Sequence, residues 1–296
     1  MYWPDINVIK EQRSVVVDGL TAVFFLNASH NELFLPVKKC LKQYIDFVGW
    51  ESVPFYITDD GYADPTTPEV IDKILHERFH EEESGITLLG SDMSVSPFEF
   101  HYFGSPLPVE RWPSYRNLLY CWLPKDLALL SGLERIVAFV KSIATQLPFS
   151  FAYCNPALLY HHNDIGEATS RAKRYPGVDV LSTGSVSMEL GDRAAGVYWL
   201  SLLGTELARH LGGFVQLRTE LPTPIIVEQF QDDKIIIQLG PEPEVGDVNR
   251  QTDFPLHRQL ARILEPVLHM PIRNYFADRD GESDPQAMHE WHRRFL

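Results

Sequence analysis

The sequence predicts an α+β fold built from mixed, largely antiparallel sheets with helices packed on one face. Segments rich in β-branched and aromatic residues alternate with segments whose apolar residues repeat at helical spacing. Several predicted strands also follow one another without a helix between them, which favours antiparallel pairing. With 296 residues and 45% hydrophobic content, the chain is long and apolar enough to bury a sizeable core.

The first third of the chain predicts an alternation of strands and helices. Residues 15–26 are rich in Val, Leu and Phe and predict a strand, and 33–48 carries one apolar stripe typical of a helix. A second strand is expected at 53–57. Thr67 then has the features of an N-cap, because Pro68 occupies the first helical position after it.

The rest of the chain continues this alternation. Ser131 and Glu134 fit the S-x-x-E capping box and predict that a helix starts there and ends at Pro148. Residues 195–211 predict a helix and 214–217 a strand. Further helices are expected at 253–266 and from Asp284 onward. Further strands are expected at 86–89, 98–103, 118–123, 149–153, 225–229 and 235–239.

The order strand, helix, strand occurs twice, at residues 21–57 and again at 118–153. This repetition suggests two duplicated α/β subdomains. The proline-containing segment 104–113 is the best candidate boundary, so the predicted subdomains are 1–110 and 111–296. No linker is obvious, and one continuous domain is the alternative.

The charge of the chain is negative and uneven. The net charge is −14, and residues 1–110 contain 18 acidic but only 7 basic side chains. Such a chain is not expected to bind nucleic acid through phosphates, and its field favours a cationic partner. No apolar run approaches the roughly 18 residues of a membrane helix, and the N-terminus lacks signal-peptide features. We therefore expect a cytoplasmic protein without a membrane partner.

The sequence lacks most of the common catalytic signatures. Phosphate-binding loops, dinucleotide-binding turns, nucleophile elbows and C-x-x-C motifs are missing, although residues 76–80 do match the H-E-x-x-H pattern of zinc enzymes. Cys40, Cys121 and Cys154 are widely spaced in apolar contexts, which predicts three buried reduced thiols. These observations favour a binding protein without a cofactor over an enzyme.

Two acidic segments are candidates for contact with a partner. One is the polar loop after the 53–57 strand, and the other is a run of three glutamates after the following helix. Turn chemistry or a solvated surface would explain both segments equally well. Trp3 and Trp112 stand in polar or proline-rich contexts and could be exposed anchors. The acidic contact candidates are Asp59, Asp60, Asp64, Glu81, Glu82 and Glu83.

Several segments resemble those of the type VI secretion immunity family. They are Phe47–Trp50 leading into Pro54–Ile57, Arg174–Asp179, and Gly196–Gly204 followed by Leu211–Gly213. The resemblance implies an α+β, cytoplasmic, non-enzymatic protein that binds a toxic effector delivered by neighbouring bacteria and blocks its active site. In some members the effector is a nuclease. No catalytic residues can be carried over from such a family.

Two other hypotheses remain open at this stage. A metal-dependent hydrolase could use His161, His162 and Asp164, which are clustered in the sequence. Adjacent residues point in different directions on a regular element, so both histidines could bind one ion only in a loop. The third hypothesis is an adaptor protein of a secretion machine, which the sequence does not separate from an immunity protein.

Overall fold

The computed structural model describes residues 2–78, 81–92, 95–180, 182–272, 276–277 and 282–296, without the side chain of His162. These residues form one sheet of 12 strands flanked by ten α-helices. The strands are β1 Val8–Lys10, β2 Arg13–Leu26, β3 Phe55–Ile57, β4 Ala63–Pro65, β5 Ser84–Leu89, β6 Glu99–Gly104, β7 Asn117–Pro124, β8 Phe149–Tyr160, β9 Asp179–Val180, β10 Leu200–Leu203, β11 Ile226–Gln229 and β12 Ile235–Gln238. The helices are α1 His30–Val48, α2 Pro68–Arg78, α3 Lys125–Ser131, α4 Leu133–Ala144, α5 Ile165–Arg174, α6 Thr183–Ser187, α7 Thr205–His210, α8 Gly213–Glu220, α9 Pro255–Leu264 and α10 Pro285–His292.

Local signals at the first two helices explain where they begin. The backbone N–H of Ser29 donates to the Glu32 carboxylate at 3.0 Å, which forms the capping box of α1. Helix α1 ends at Gly49, whose φ of 87° suits glycine. The backbone N–H of Val70 donates to the Thr67 hydroxyl at 3.4 Å. The predicted N-cap at Thr67 is therefore confirmed.

The main path of the sheet runs in the order β11-β12-β10-β8-β2-β7-β6-β5-β3-β4. Every pairing along this path is antiparallel. Strand β1 pairs with β2, and the short β9 runs parallel to β8. The predicted α+β class with largely antiparallel pairing is confirmed.

Helices cover both faces of this sheet, whereas the sequence analysis expected them on one. Phe24 of β2 packs with α1 and α4 in one apolar cluster. Val23 and Phe25, its neighbours in the strand, pack with α7, α8 and α9 in another. A strand buried on both sides has a continuous apolar run and not an alternating one. Residues 22–26 form such a run, which is the signal that this expectation overlooked.

Two secondary-structure predictions in the second half are wrong. The helix expected at 195–211 is split, because Leu200–Leu203 forms strand β10 between β8 and β12 and only α7 is helical. Residues 214–217, expected as a strand, belong to α8. A short apolar run fits a buried strand as well as a buried helix, so tertiary pairing decides between them.

The capping box predicted at Ser131 and Glu134 is also wrong. Ser131 is the last residue of α3, a helix that the sequence analysis did not predict. Gly132, at a φ of 83°, separates α3 from α4 and takes the N-cap position without a side-chain hydrogen bond. The glycine permits a tight break between two helices, and the serine therefore caps neither of them.

The sheet is continuous across residue 110. Strand β2 from segment 1–110 lies between β7 and β8 from segment 111–296 and pairs with both. The two predicted subdomains share one sheet, and the proposal that they arose by duplication stays a prediction. All three cysteines are buried and free, as expected. Within the described ranges, no α-helix combines the length and apolar character required to span a membrane.

A buried ion pair fixes β2 against α3. The Lys125 ammonium group lies 2.9 Å from the Asp18 carboxylate, and the exposed fractions of the two side chains are 16% and 1%. Lys125 also donates to the Pro4 carbonyl at 3.4 Å. Burial raises the pKa of Asp18, although the hydrogen bond from Lys125 opposes this effect. The lysine therefore compensates a carboxylate that is almost completely buried.

Replacing Lys125→Met should destabilise the protein by about 3 kcal/mol, because it leaves the Asp18 charge buried and unpaired. The double variant Asp18→Asn/Lys125→Met should recover most of this loss, since no uncompensated charge remains. Urea unfolding at neutral pH measures both. A double variant no more stable than the single variant would show that the pair does not act by charge compensation.

Candidate functional site

Strands β5, β6 and β7 turn one side toward α1 and the other side outward. On the inner side, the ring of Phe100 lies 5.6 Å from that of Tyr44 and the Tyr102 hydroxyl lies 2.9 Å from His30 Nδ1. Side chains alternate across a strand, so the intervening residues face away from α1. Most side chains on this outward side are half-buried, Phe103 is exposed, and Leu118 and Trp122 of β7 are buried. We call this surface the open face; it comprises Thr87, Leu89, Glu99, His101, Phe103 and Tyr120.

Glu99 lies near one end of the open face, at the start of β6, where it pairs in register with Leu89 of β5 and Trp122 of β7. The Tyr120 hydroxyl donates a hydrogen bond to its carboxylate. Burial raises the pKa of Glu99 to about 7, although this hydrogen bond favours the charged form. A carboxyl group in this position changes its charge near neutral pH.

His101 is the neighbour of Glu99 on the open face. Its ring stacks on Tyr120 with centroids 4.9 Å apart, and its Nδ1 lies 2.8 Å from the Thr87 hydroxyl. Burial lowers the pKa of His101 to about 4. The imidazole is therefore neutral at physiological pH and does not offset the charge of Glu99.

The two acidic segments lie at the same end of the sheet. The Arg78 guanidinium group donates both to the Asp59 carboxylate and to the Gly85 carbonyl at the start of β5. Asp59 and Asp60 belong to the exposed turn after β3, and residues 81–83 immediately precede β5. Arg78 therefore ties the turn to this segment, and the exposed carboxylates of both cluster beside the open face.

We call the exposed carboxylates of Asp59, Asp60 and Glu81–Glu83 the acidic end. A cavity of about 340 Å³ lies where the acidic end meets the open face. Trp112 forms one wall, and its backbone N–H donates to the Val109 carbonyl at 2.9 Å. The charge of Glu83 contributes to raising the pKa of Tyr115, after the larger effect of burial. The cavity is lined by Glu83, His101, Phe103, Ser105, Val109, Trp112, Tyr115, Leu118, Gly184, Ser187 and Met188.

A second cavity, of about 660 Å³, lies at the other end of the open face. Trp122 and Pro97 line it, together with the buried Asp18 and Lys125 pair. Trp122 packs closely on Gly19, where a Cβ atom would lie 2.5 Å from its ring. The open face thus joins two recesses along β6 and β7.

The sequence-predicted contact residues do not all lie together in the structure. Glu83 and Trp112 share the smaller cavity, and Asp59, Asp60, Glu81 and Glu82 are exposed near it. Asp64 is exposed on the edge strand β4, opposite Tyr56. Trp3 is half-buried against the apolar core and does not form an exposed anchor.

The open face itself was missed by sequence reasoning. Glu99, His101 and Tyr120 were hidden inside strands predicted only as structural elements. The alternation of β6 held the signal, because Glu99 and His101 alternate with the buried Phe100 and Tyr102. A polar residue at every second position of an otherwise aromatic strand indicates an uncovered face.

The cluster proposed for a metal-dependent hydrolase has a different arrangement. His161 Nδ1 lies 3.7 Å from the Asp164 carboxylate, whose other oxygen accepts from Lys10 at 2.8 Å. The side chain of His162 lies outside the described parts of the chain. Among the residues that are described, no group of three His, Cys, Asp or Glu side chains is placed to hold a metal ion.

Replacing Glu99→Gln should stabilise the protein at high pH. Because the pKa of Glu99 rises on folding, its contribution to stability is present at low pH and is lost as the pH rises through about 7. We expect the variant to gain about 1–2 kcal/mol over the wild type at pH 8, and no gain at pH 5. Urea unfolding at the two pH values measures this. An equal difference at both would contradict the assigned burial of the charge.

Comparisons with known proteins identify the family to which this chain belongs. Residues 36–295 match the family TsiV, described as type VI immunity for VRR-NUC. A solved structure described as Pseudomonas aeruginosa T6SS protein PA0821 is similar, with a TM-score of 0.81 and 17% identity. The similarity covers 96% of this chain and 83% of that one, and at this identity it shows the fold alone. No curated protein matches the chain. Because the family match spans most of the sequence, the protein belongs to the TsiV family of type VI immunity proteins for VRR-NUC.

Proposed function

We propose that this protein binds a VRR-NUC nuclease effector and neutralises it by covering its active site. The observation that carries the proposal is the family match over residues 36–295. The protein acts as a stoichiometric inhibitor and not as an enzyme. It works in the cytoplasm, where a nuclease effector would meet the DNA of the cell.

The open face and its acidic end form the contact surface in this proposal. A nuclease binds the phosphates of its substrate through cationic side chains. An acidic surface is complementary to such a groove, and complementary charge speeds the encounter of two proteins. The exposed Asp59, Asp60 and Glu81–Glu83 supply the charge, while Phe103 and Trp112 supply apolar area.

Asp64 has a lesser role in the proposed contact. It lies on β4, at the far edge of the sheet from β7, and its carboxylate is exposed. Because β4 is the edge strand, we assign Asp64 to the rim of the contact, where charges alter the association rate more than the final affinity.

Co-expression with the VRR-NUC effector encoded in the same genome tests the function. We expect the wild-type protein to restore growth and to co-purify with the effector in a stable complex. An unrelated nuclease toxin serves as the control for specificity and should remain toxic. Persistent toxicity without a complex would reject the proposal. Capture of a tube or spike protein in place of the effector would favour the secretion-machine adaptor.

Charge reversal tests the contact surface. The variant Asp60→Lys/Glu82→Lys should slow association about tenfold at low salt, because it weakens the attraction between the two proteins. The difference should shrink at about 0.5 M salt as charges are screened. Surface plasmon resonance with a catalytically inactive effector measures the rates.

The matched control is Asp46→Lys/Asp72→Lys, which changes the net charge equally. These carboxylates are 61% and 69% exposed on α1 and α2, the helices on the inner side of the sheet. The control should change the association rate by less than about threefold, since long-range charge alone has a limited effect. Equal slowing by both double variants would remove the open face as the contact surface.

A further inference from the structure

Glu99 differs from three other deeply placed carboxylates of the protein, and it shares with the buried Asp179 a tyrosine hydroxyl as its donor. Asp18, Asp164 and Asp247 each lie within 3.1 Å of a lysine or arginine nitrogen. Glu99 has the Tyr120 hydroxyl as its hydrogen-bond donor, and no Lys or Arg nitrogen of the described residues forms an ion pair with it. The described residues supply a cation to these three carboxylates and none to Glu99.

The position of Glu99 makes this difference informative. It lies on the open face between the two cavities, with His101 lining one and Trp122 lining the other. A partner that covers the open face would remove the remaining water from this carboxylate. Such dehydration of an unpaired charge costs several kcal/mol, and a cation from the partner offsets it.

The surroundings favour an arginine over a lysine. Glu99 presents a carboxylate beside the stacked rings of His101 and Tyr120, and Phe103 lies exposed farther along the same strand. A guanidinium group is planar, packs on aromatic rings and keeps fewer tightly bound waters than an ammonium group. Burying it between a carboxylate and aromatic side chains is therefore less costly than burying a lysine.

We propose that Glu99 is the receptor for an arginine side chain of the effector, held on the open face between the two cavities. This inference rests on the proposed function, since it names the group recognised at that same surface. The exposed carboxylates at the acidic end accelerate the encounter, whereas Glu99 holds the complex together. Its loss increases the dissociation rate more than it decreases the association rate.

A consequence is that binding releases a proton near neutral pH. Burial raises the pKa of Glu99 to about 7 in the unbound protein, and an adjacent guanidinium group would lower it. Affinity should therefore rise about tenfold from pH 6 to pH 8, because the charged form of Glu99 binds.

The groups around Glu99 do not titrate between these pH values. They are Tyr120 from β7, His101 on the same strand, and Tyr44 from α1 behind the sheet. Burial lowers the pKa of His101 to about 4 and raises the pKa of both tyrosines well above 10. Among the described residues, the pH dependence of this part of the surface is therefore assigned to Glu99.

Isothermal titration calorimetry with the catalytically inactive VRR-NUC effector tests the proposal. We expect Glu99→Gln to weaken binding by 10- to 100-fold at pH 8, as truncating one partner of a buried ion pair does. The rise in affinity from pH 6 to pH 8 should disappear with it. The control Glu82→Gln, in the exposed acidic segment, should weaken binding by less than about threefold and keep the full pH dependence.

A second variant separates a structural role from the proposed one. Tyr120→Phe removes the hydrogen bond that favours the charged carboxylate, so it should move the midpoint of the pH dependence above 7. The plateau at high pH should stay close to that of the wild type. A Glu99→Gln variant with wild-type affinity and pH dependence would overturn the inference while leaving the proposed function intact. A wild-type protein that does not bind would overturn both.

Discussion

The whole architecture depends on strand β2 being paired on both sides. It is hydrogen-bonded to β7 along one edge and to β8 along the other, and its side chains belong to apolar clusters on both faces. Strand β6 is paired with β7, and β5 is paired with β6. The position of the open face therefore depends on the pairing of β7 with β2. The buried Asp18 and Lys125 pair anchors the same strand to α3 at the edge of the larger cavity. Stability and the proposed contact surface therefore share one element.

The polar groups on the open face are expensive to maintain in an unbound protein. Glu99 loses hydration and has no ion pair with any residue that the structure describes, and His101 is held neutral by its burial. A sheet face selected for stability alone would carry apolar or fully exposed side chains at these positions. Residues that cost stability and lie between two cavities are typical of a surface selected for recognition. Arg78, in contrast, holds Asp59 and the start of β5 together, so it gives the acidic end a defined shape before binding.

Local signals in the sequence predicted most elements, but pairing decided the rest. Thr67 and the apolar stripe of α1 gave correct helices because capping and periodicity act within a few residues. Leu200–Leu203 was predicted as helix, since an apolar run of that length becomes a strand only when β8 and β12 flank it. The exposed acidic residues could be proposed from charge runs. Glu99 could not, because its importance comes from its place among strands distant in sequence.

We expect the open face and its acidic end to be the surface that contacts the VRR-NUC effector. Hydroxyl-radical footprinting of the protein with and without the inactive effector tests this directly, because it measures which side chains become protected from oxidation in the complex. We expect strong protection of Phe103 and Trp112 and of Tyr62, which is 73% exposed in the turn that contains Asp59 and Asp60. Leu130 and Val215, which are 87% and 76% exposed on α3 and α8, should react equally in both states. Protection of Leu130 or Val215, with Phe103 and Trp112 unchanged, would show that the effector binds to a different surface.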